Sequence, residues 1–288
     1  MTRTTLALGA TLGLLAGPAA AAPLATPGET RAAVEDGAVL LDIRGAEAFA
    51  EGHAPGAVNV PYAAFRGPEE SPGRLISDAE LTDALRRAGI EPGERVIVAN
   101  AGEDPSDFGG MARVYWTLKS AGLEDISVLN GGLAAWRDAG LPTTTEAVPV
   151  ERSDATFTLS DRWAATREEG RAVAEGEGDA LLIDARPDAF FRGETKHDAA
   201  TWAGTLRGAA NVVYSRFFGG DAVLRADAEA VREVAREAGW TPGRTVVSFC
   251  NTGHWAASNW FALSEVGGIE DVKLYPESMV GYSAAYTN

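Results

Sequence analysis

A single cysteine, Cys250, lies where a predicted buried strand ends and a tight loop begins. The run before it, Thr245–Phe249, is β-branched and apolar, as is typical of a buried strand. Five loop residues follow the cysteine: Asn251, Thr252, Gly253, His254 and Trp255. A helix is then predicted to open at Ala256. The thiol is therefore expected at a strand–loop–helix junction.

This junction could support a reactive thiolate. Backbone N–H groups that turn inward around a loop form an anion-binding nest, and a helix directs its positive end to the same place. Both favour the thiolate, which is the nucleophilic form of cysteine. The alternative is a small buried apolar residue without chemistry, the common fate of a free cysteine. Gly253 and the scarcity of apolar side chains in the loop favour the nucleophile.

Length and charge limit the function classes. A chain of 288 residues allows one large domain or two of ordinary size, and 45% hydrophobic residues are enough for a folded core. The formal net charge of -16 argues against nucleic acid and against an anionic membrane surface as partners. A small anionic substrate would need local N–H groups and cations to overcome this charge. No oligomeric state follows from the sequence.

The first 21 residues are predicted to be an export signal. Arg3 supplies a positive start, Leu6–Ala16 is apolar, and small residues surround a cleavage site after Ala21. The apolar run is too short to span a bilayer, so we expect an exported protein without a membrane anchor, periplasmic rather than fully secreted. With one cysteine the mature chain has no internal disulfide. A leftover thiol in an oxidising compartment indicates a reactive group or an intermolecular pair.

The remaining chain reads as two copies of one α/β unit. Strands alternate with helices, which predicts mainly parallel sheets flanked by helices. The predicted boundaries are residues 24–141 for the first unit, 142–160 for a linker rich in Thr and Pro, and 161–288 for the second. Among the predicted helices, one covers residues 111–121 and another residues 163–175.

An aspartate and an arginine end the first strand pattern of each copy, as Asp42 and Arg44 and again as Asp184 and Arg186. Because the pair also occurs in the copy that has no thiol, we interpret it as structural, fixing the strand end and its loop. The copies differ where the chemistry is expected, since Asn100 occupies the position of Cys250 and an acidic loop follows it. The second copy is therefore predicted to be catalytic and the first inactive.

Five segments together resemble the tandem-domain rhodaneses, the thiosulfate and 3-mercaptopyruvate sulfurtransferase family. They are LLDIR at 40–44, GHAPGAVNVP at 52–61, VLNGGLAAW at 128–136, LIDAR at 182–186 and FCNTGHWA at 249–256. The resemblance implies two rhodanese-like domains and a catalytic cysteine, Cys250. This cysteine would take a sulfane sulfur from a small anionic donor as a persulfide, and pass it to a thiol or cyanide acceptor. No cofactor is implied.

The resemblance assigns the loop from Asn251 to Ala256 to substrate binding. Its N–H groups would stabilise the persulfide. Gly253 would permit the turn, His254 could donate to substrate or be a simple loop histidine, and Trp255 could form a pocket wall or pack in the core. The sequence CNTGHW matches neither CRxGxT of thiosulfate-preferring members nor CGSGVT of mercaptopyruvate-preferring ones. The family places an arginine six residues after the aspartate of LIDAR, and that position is Phe190 here. Arg192 lies nearby and could replace it, or could be a solvated surface charge.

The sequence also bears on three alternative functions. Cysteine phosphatases need an arginine six residues after the cysteine, and that position is Ala256. A non-catalytic persulfide carrier or binding protein stays open, because the basic residue after Cys250 is lost. A metal site is not expected, since His53, His197 and His254 are widely spaced and no metal-ligand motif occurs.

Overall fold

The computed structural model describes residues 22–287, and the predicted export signal, residues 1–21, lies outside this range. The first unit has five strands, and these are β1 (Leu24–Ala25), β2 (Val39–Asp42), β3 (Ala57–Asn59), β4 (Val96–Ala99) and β5 (Ile126–Leu129). Its helices are α1 (Pro27–Glu35), α2 (Ala46–Glu51), α3 (Asp78–Arg87), α4 (Pro105–Ser120) and α5 (Gly132–Asp138). A single 3₁₀ turn, Tyr62–Phe65, follows β3.

The second unit repeats this order with four strands, and these are β6 (Leu181–Asp184), β7 (Ala210–Asn211), β8 (Val246–Phe249) and β9 (Val272–Leu274). Its helices are α6 (Arg167–Ala174), α7 (Asp188–Phe191), α8 (Ala228–Glu237), α9 (Trp255–Phe261) and α10 (Ser278–Ala285). A 3₁₀ turn covers Tyr214–Phe217, and α9 continues as a π-helical turn, Ala262–Val266. Within residues 22–287 no helix is both long and apolar enough to cross a bilayer.

All described strand pairs are parallel, which confirms the predicted fold class. The sheets run β1-β5-β4-β2-β3 and β7-β6-β8-β9. The central strands are buried throughout because helices cover both faces of each sheet. The sequences of these strands are therefore continuous apolar runs. Parallel strands bring their carboxyl ends to one edge, where loops form ligand sites in such folds. Cys250 follows β8 at that edge.

Two helix starts differ from the prediction by four residues or more. The helix predicted for residues 111–121 begins at Pro105, because Asp104 caps it by accepting from the N–H groups of Ser106 at 2.6 Å and Asp107 at 3.2 Å. The helix predicted for residues 163–175 begins at Arg167, where Thr166 and Glu169 form a capping box. In both cases a side-chain cap fixed the boundary, and the apolar pattern did not.

The two units share one apolar core. Helix α4 packs against α9, with Phe108 and Tyr115 edge-on to Phe261 at ring distances of 5.3 and 5.0 Å. Beside them the Tyr115 hydroxyl donates to Glu265 at 2.8 Å, and Lys119 pairs with the same carboxylate at 2.8 Å. A helix of the first unit therefore packs against the helix that follows the cysteine loop.

The predicted linker packs along the first unit. The N–H of Ser153 donates to the Arg86 carbonyl at 3.1 Å, and the Thr82 hydroxyl donates to the Phe157 carbonyl at 3.1 Å. Phe157 is only 3% exposed, so this segment contributes to the core. The linker thus extends the first unit's packing up to the start of the second.

Candidate active site

Cys250 is buried at the carboxyl end of β8. Its backbone N–H donates to the Ser278 hydroxyl at 3.0 Å, and its carbonyl accepts from the Met279 N–H at 3.0 Å. In the first unit the matching bond runs from the Leu133 N–H to the Asn100 carbonyl, which equates Ser278 with Gly132. Both have positive φ, 51° for Ser278 and 60° for Gly132. The second unit therefore tolerates a left-handed serine so that its hydroxyl can hold the cysteine backbone.

The loop after Cys250 turns through Gly253, whose φ is +71°. Among residues 22–287, the backbone N–H groups of Thr252, Gly253 and His254 have no hydrogen-bond acceptor. Unpaired N–H groups on a tight loop after a thiol are suited to stabilise a negatively charged sulfur.

Arg113 of α4 supports the loop from behind. Its Nη1 donates to the Gly253 carbonyl at 3.2 Å and its Nη2 to the Gly73 carbonyl at 3.5 Å, while the side chain is 1% exposed. Burial lowers the pKa of Arg113 to about 9, Arg66 lowers it as well, and Tyr62 and Cys250 offset only part of this shift. A buried cation therefore lies within electrostatic reach of the thiol.

His254 joins the loop to the first unit. Its Nδ1 lies 2.9 Å from the Tyr62 hydroxyl and its Nε2 lies 3.1 Å from the Ser106 hydroxyl. Arg66 donates to the Tyr62 hydroxyl at 3.1 Å and to the Thr252 carbonyl at 2.8 Å. Burial lowers the pKa of His254 to about 4, and the positive charge of Arg66 adds to the shift. The imidazole is therefore neutral at neutral pH.

These groups surround a cavity of about 240 Å³ at the junction of the two units. Its lining residues are Tyr62, Arg66, Ser106, His197, Cys250, Asn251, Thr252, His254 and Trp255. The Trp255 ring stacks on Tyr214 at 4.9 Å, meets Phe190 edge-on at 6.1 Å, and donates its Nε1–H to the Ser106 hydroxyl at 2.9 Å. Trp255 is thus a fixed wall of the cavity.

Three of the predicted substrate-binding residues lie outside the cavity lining. Gly253 faces Arg113 and Pro276 behind the loop, and Ala256 is fully buried in α9. Arg192 is a surface residue whose side chain, 56% exposed, pairs with Asp188 at 3.2 Å and Glu194 at 2.9 Å. The structure therefore does not bring Arg192 to the thiol, because nearby acids hold it on the outside of α7.

Asp184 and Arg186 form a buried ion pair at 2.7 Å at the end of β6. Arg186 also donates to the Gly204 carbonyl at 2.8 Å and to the Asn251 side chain at 3.3 Å. The first-unit pair, Asp42 and Arg44, makes the same buried contact at 2.6 Å. The second pair thus holds a strand end, as its repetition suggested, and also touches the first residue of the cysteine loop.

A family model described as the rhodanese-like domain matches residues 26–139 and again residues 168–285. The chain belongs to the rhodanese-like family. It is 32% identical over 256 residues to SseB of Mycobacterium tuberculosis strain H37Rv, provisionally named a thiosulfate sulfurtransferase, covering 85% of this chain and 87% of that protein. It is 30% identical over 250 residues to the thiosulfate sulfurtransferase of Pseudomonas aeruginosa, covering 86% of each.

Among solved structures, SseA from Escherichia coli, a 3-mercaptopyruvate sulfotransferase, superimposes with a TM-score of 0.77. The match covers 90% of this chain and 99% of SseA at 23% identity, so it shows a shared fold. The rhodanese-like architecture therefore extends through both units.

Sequence reasoning missed the first-unit part of this rhodanese-like site, namely Tyr62, Arg66, Ser106 and Arg113, as well as Ser278. One signal was available for Arg113, which is a lone charge within the otherwise apolar run Met111–Trp116. A charge surrounded by apolar residues on one helix is expected to be buried, and buried charges are commonly functional. Ser106 was hidden because it lies in the acidic segment after Asn100 that was predicted to be a loop.

The neutral state of His254 gives the fold a pH dependence. The pKa is 6.5 ordinarily and about 4 here, so between these values the unfolded chain binds a proton that the folded chain does not. The contribution of neutral His254 to the free energy of unfolding is therefore fully present above pH 6.5 and is lost as the pH drops toward 4. We expect His254→Asn to remove this loss of stability, which is about 2 kcal/mol after allowance for partial solvent exposure. Urea unfolding of the wild type and the variant at the two pH values, 6.5 and 4, measures it.

His197→Asn is the matched control, because it removes a histidine from the same cavity and leaves His254 in place. This variant should keep the wild-type pH dependence. An unchanged pH dependence in His254→Asn would show that His254 titrates normally in the folded protein.

Proposed function

We propose that this protein is a sulfurtransferase that moves a sulfane sulfur from thiosulfate, or a related small anionic donor, to a thiophilic acceptor through a persulfide on Cys250. The observation that carries the proposal is the position of Cys250: it lines a small cavity, follows a parallel strand, and precedes a loop with unpaired N–H groups. The names of the Mycobacterium and Pseudomonas relatives support the same reaction class.

The first step forms one sulfur–sulfur bond and breaks another. The Cys250 thiolate attacks the outer sulfur of thiosulfate, the sulfur–sulfur bond of the donor breaks, and its electron pair leaves with sulfite. The product, a Cys250 persulfide anion, carries its charge on the outer sulfur. We expect that charge to be stabilised by the N–H groups of the loop and by the guanidinium of Arg113, which donates to the Gly253 carbonyl of the same loop.

In the second step the acceptor attacks the outer sulfur. With cyanide, a carbon–sulfur bond forms, thiocyanate leaves, and the electron pair of the broken sulfur–sulfur bond returns to Cys250 as thiolate. The enzyme therefore ends each cycle in its starting state. No cofactor is needed for either step, because the sulfur changes partners without an external oxidant or reductant.

Intact-mass spectrometry of the purified protein, before and after thiosulfate, tests this function. We expect a gain of one sulfur atom, about 32 Da, on the wild type, loss of that gain with cyanide, and no gain on Cys250→Ser. No gain with thiosulfate but a gain with 3-mercaptopyruvate would keep the mechanism and change the donor. A wild type that takes sulfur from neither donor overturns the catalytic proposal.

The same proposal places the protein outside the cytoplasm, in a bacterial periplasm. Its support is the positive, apolar and small-residue order of residues 1–21, followed by a chain with one cysteine. When the full chain is expressed in an exporting host, the mass spectrum also reads the processed N-terminus, expected at Ala22. An unprocessed mass in the exported fraction would contradict this placement.

A further inference from the structure

The first unit contributes two hydroxyl groups to the cavity, and both contact His254. Tyr62 lies 2.9 Å from its Nδ1, and Ser106 lies 3.1 Å from its Nε2. Each hydroxyl also accepts a hydrogen bond from an obligate donor. Arg66 donates to Tyr62 at 3.1 Å, and the indole N–H of Trp255 donates to Ser106 at 2.9 Å. The proton positions in this network are therefore constrained.

A neutral imidazole has one N–H and one bare nitrogen, so it donates one hydrogen bond and accepts the other. In one tautomer Tyr62 donates to Nδ1 and Nε2–H donates to Ser106, which leaves the Ser106 proton unused. In the other tautomer Ser106 donates to Nε2 and Nδ1–H donates to Tyr62, which leaves the Tyr62 proton unused. In both tautomers one hydroxyl proton has no acceptor within the network, and both Tyr62 and Ser106 line the cavity.

Helix α4 restricts the position of the His254 ring. A Cβ added at Gly109 of α4 would lie 3.1 Å from both Nε2 and the carbonyl oxygen of His254. The ring therefore lies against helix backbone that only glycine leaves open. Since Tyr62 and Ser106 hold the two ring nitrogens, His254 has little freedom to turn away and accept the spare proton itself.

We propose that the spare hydroxyl proton of the Tyr62–His254–Ser106 network binds the oxyanion end of the sulfur donor while its outer sulfur faces Cys250. This inference rests on the sulfurtransferase function proposed above and assigns the oxyanion subsite to the first unit. A hydroxyl that donates to a sulfonate or carboxylate oxygen makes a charge-assisted hydrogen bond, and the adjacent positive charge of Arg66 favours the same anion. His254 is then a positioning residue.

The two tautomers make a specific prediction for Tyr62→Phe, Ser106→Ala and the double variant. Each single variant keeps one hydroxyl that can direct its proton into the cavity, so kcat/KM for sulfur loading from thiosulfate should fall only about 3-fold. The double variant has no donor and should fall about 100-fold, well beyond the product of the two single effects. Loss of one oxyanion donor typically costs about 100- to 1000-fold.

Inorganic polysulfide is the matched control donor, because it supplies sulfane sulfur without oxygen. With polysulfide the double variant should load within about 3-fold of the wild type, which also shows that it is folded. A double variant whose loss equals the product of the singles, or is as large with polysulfide, overturns the oxyanion subsite alone. A wild type that loads from neither donor overturns both this inference and the proposed function.

Discussion

Replacing Gly253 with alanine is expected to lower the free energy of unfolding by about 2–5 kcal/mol and to slow sulfur loading at least about 100-fold. The glycine has a φ of +71°, and a Cβ there would lie 2.5 Å from both Arg113 Nη1 and the Pro276 carbonyl oxygen. Backbone strain accounts for about 1–2 kcal/mol, and the clash accounts for the rest. The loop must shift to relieve the clash, and this displaces the N–H groups of Thr252, Gly253 and His254.

Gly268→Ala is the matched control, because it introduces the backbone strain of a left-handed alanine without a steric clash. Gly268 has a similar φ of +66°, but an added Cβ there would find no atom within 4 Å. This variant should lose about 1–2 kcal/mol and load sulfur at the wild-type rate. Gly253→Ala and Gly268→Ala are compared by urea unfolding and by single-turnover sulfur loading. Equal losses of stability and equal loading rates would show that the contacts around Gly253 do not position the loop.

The sequence was sufficient for the fold class and for the placement of the thiol. Apolar β-branched runs marked the central strands, as in the predicted strand Thr245–Phe249, which matches β8 to within one residue. Cys250 was correctly placed after a strand and before a helix, which begins at Trp255 instead of Ala256. These features are local, since each depends on residues adjacent in the chain.

The partners of the thiol were not predictable in the same way. Tyr62 and His254 are 192 positions apart, and Ser106 and His254 are 148 apart, so no local pattern joins them. Arg192 was chosen because it lies near an expected position in the sequence, whereas the structure supplies the cations from the other unit, as Arg66 and Arg113. The first unit was interpreted as inactive packing because it lacks a thiol, yet it borders the cavity.

Arg113→Met is expected to slow sulfur loading about 100-fold while leaving the free energy of unfolding within about 1 kcal/mol of the wild type. Arg66, Tyr62 and Cys250 are the groups that act electrostatically on Arg113. Burial raises the pKa of Tyr62, so the phenol is neutral at neutral pH, and a sulfur anion formed on Cys250 during the reaction is the remaining partner for the Arg113 charge. A guanidinium buried without a carboxylate costs stability, and its electrostatic partner is the reacting sulfur.

Arg186→Met is the matched control, because it removes the same charge from an equally buried side chain that does have a carboxylate partner. Asp184 would be left as an unpaired buried anion, and the loss should be about 3–5 kcal/mol. Unfolding in urea therefore separates the two arginines, and intact-mass kinetics with thiosulfate measures their effects on sulfur loading.

If Arg113→Met loads sulfur at the wild-type rate, its charge does not stabilise the thiolate or persulfide. If it loses as much stability as Arg186→Met, Arg113 is a structural residue. The expected combination, a stable protein that loads sulfur slowly, follows only if the first unit keeps a costly buried charge for the chemistry of the second.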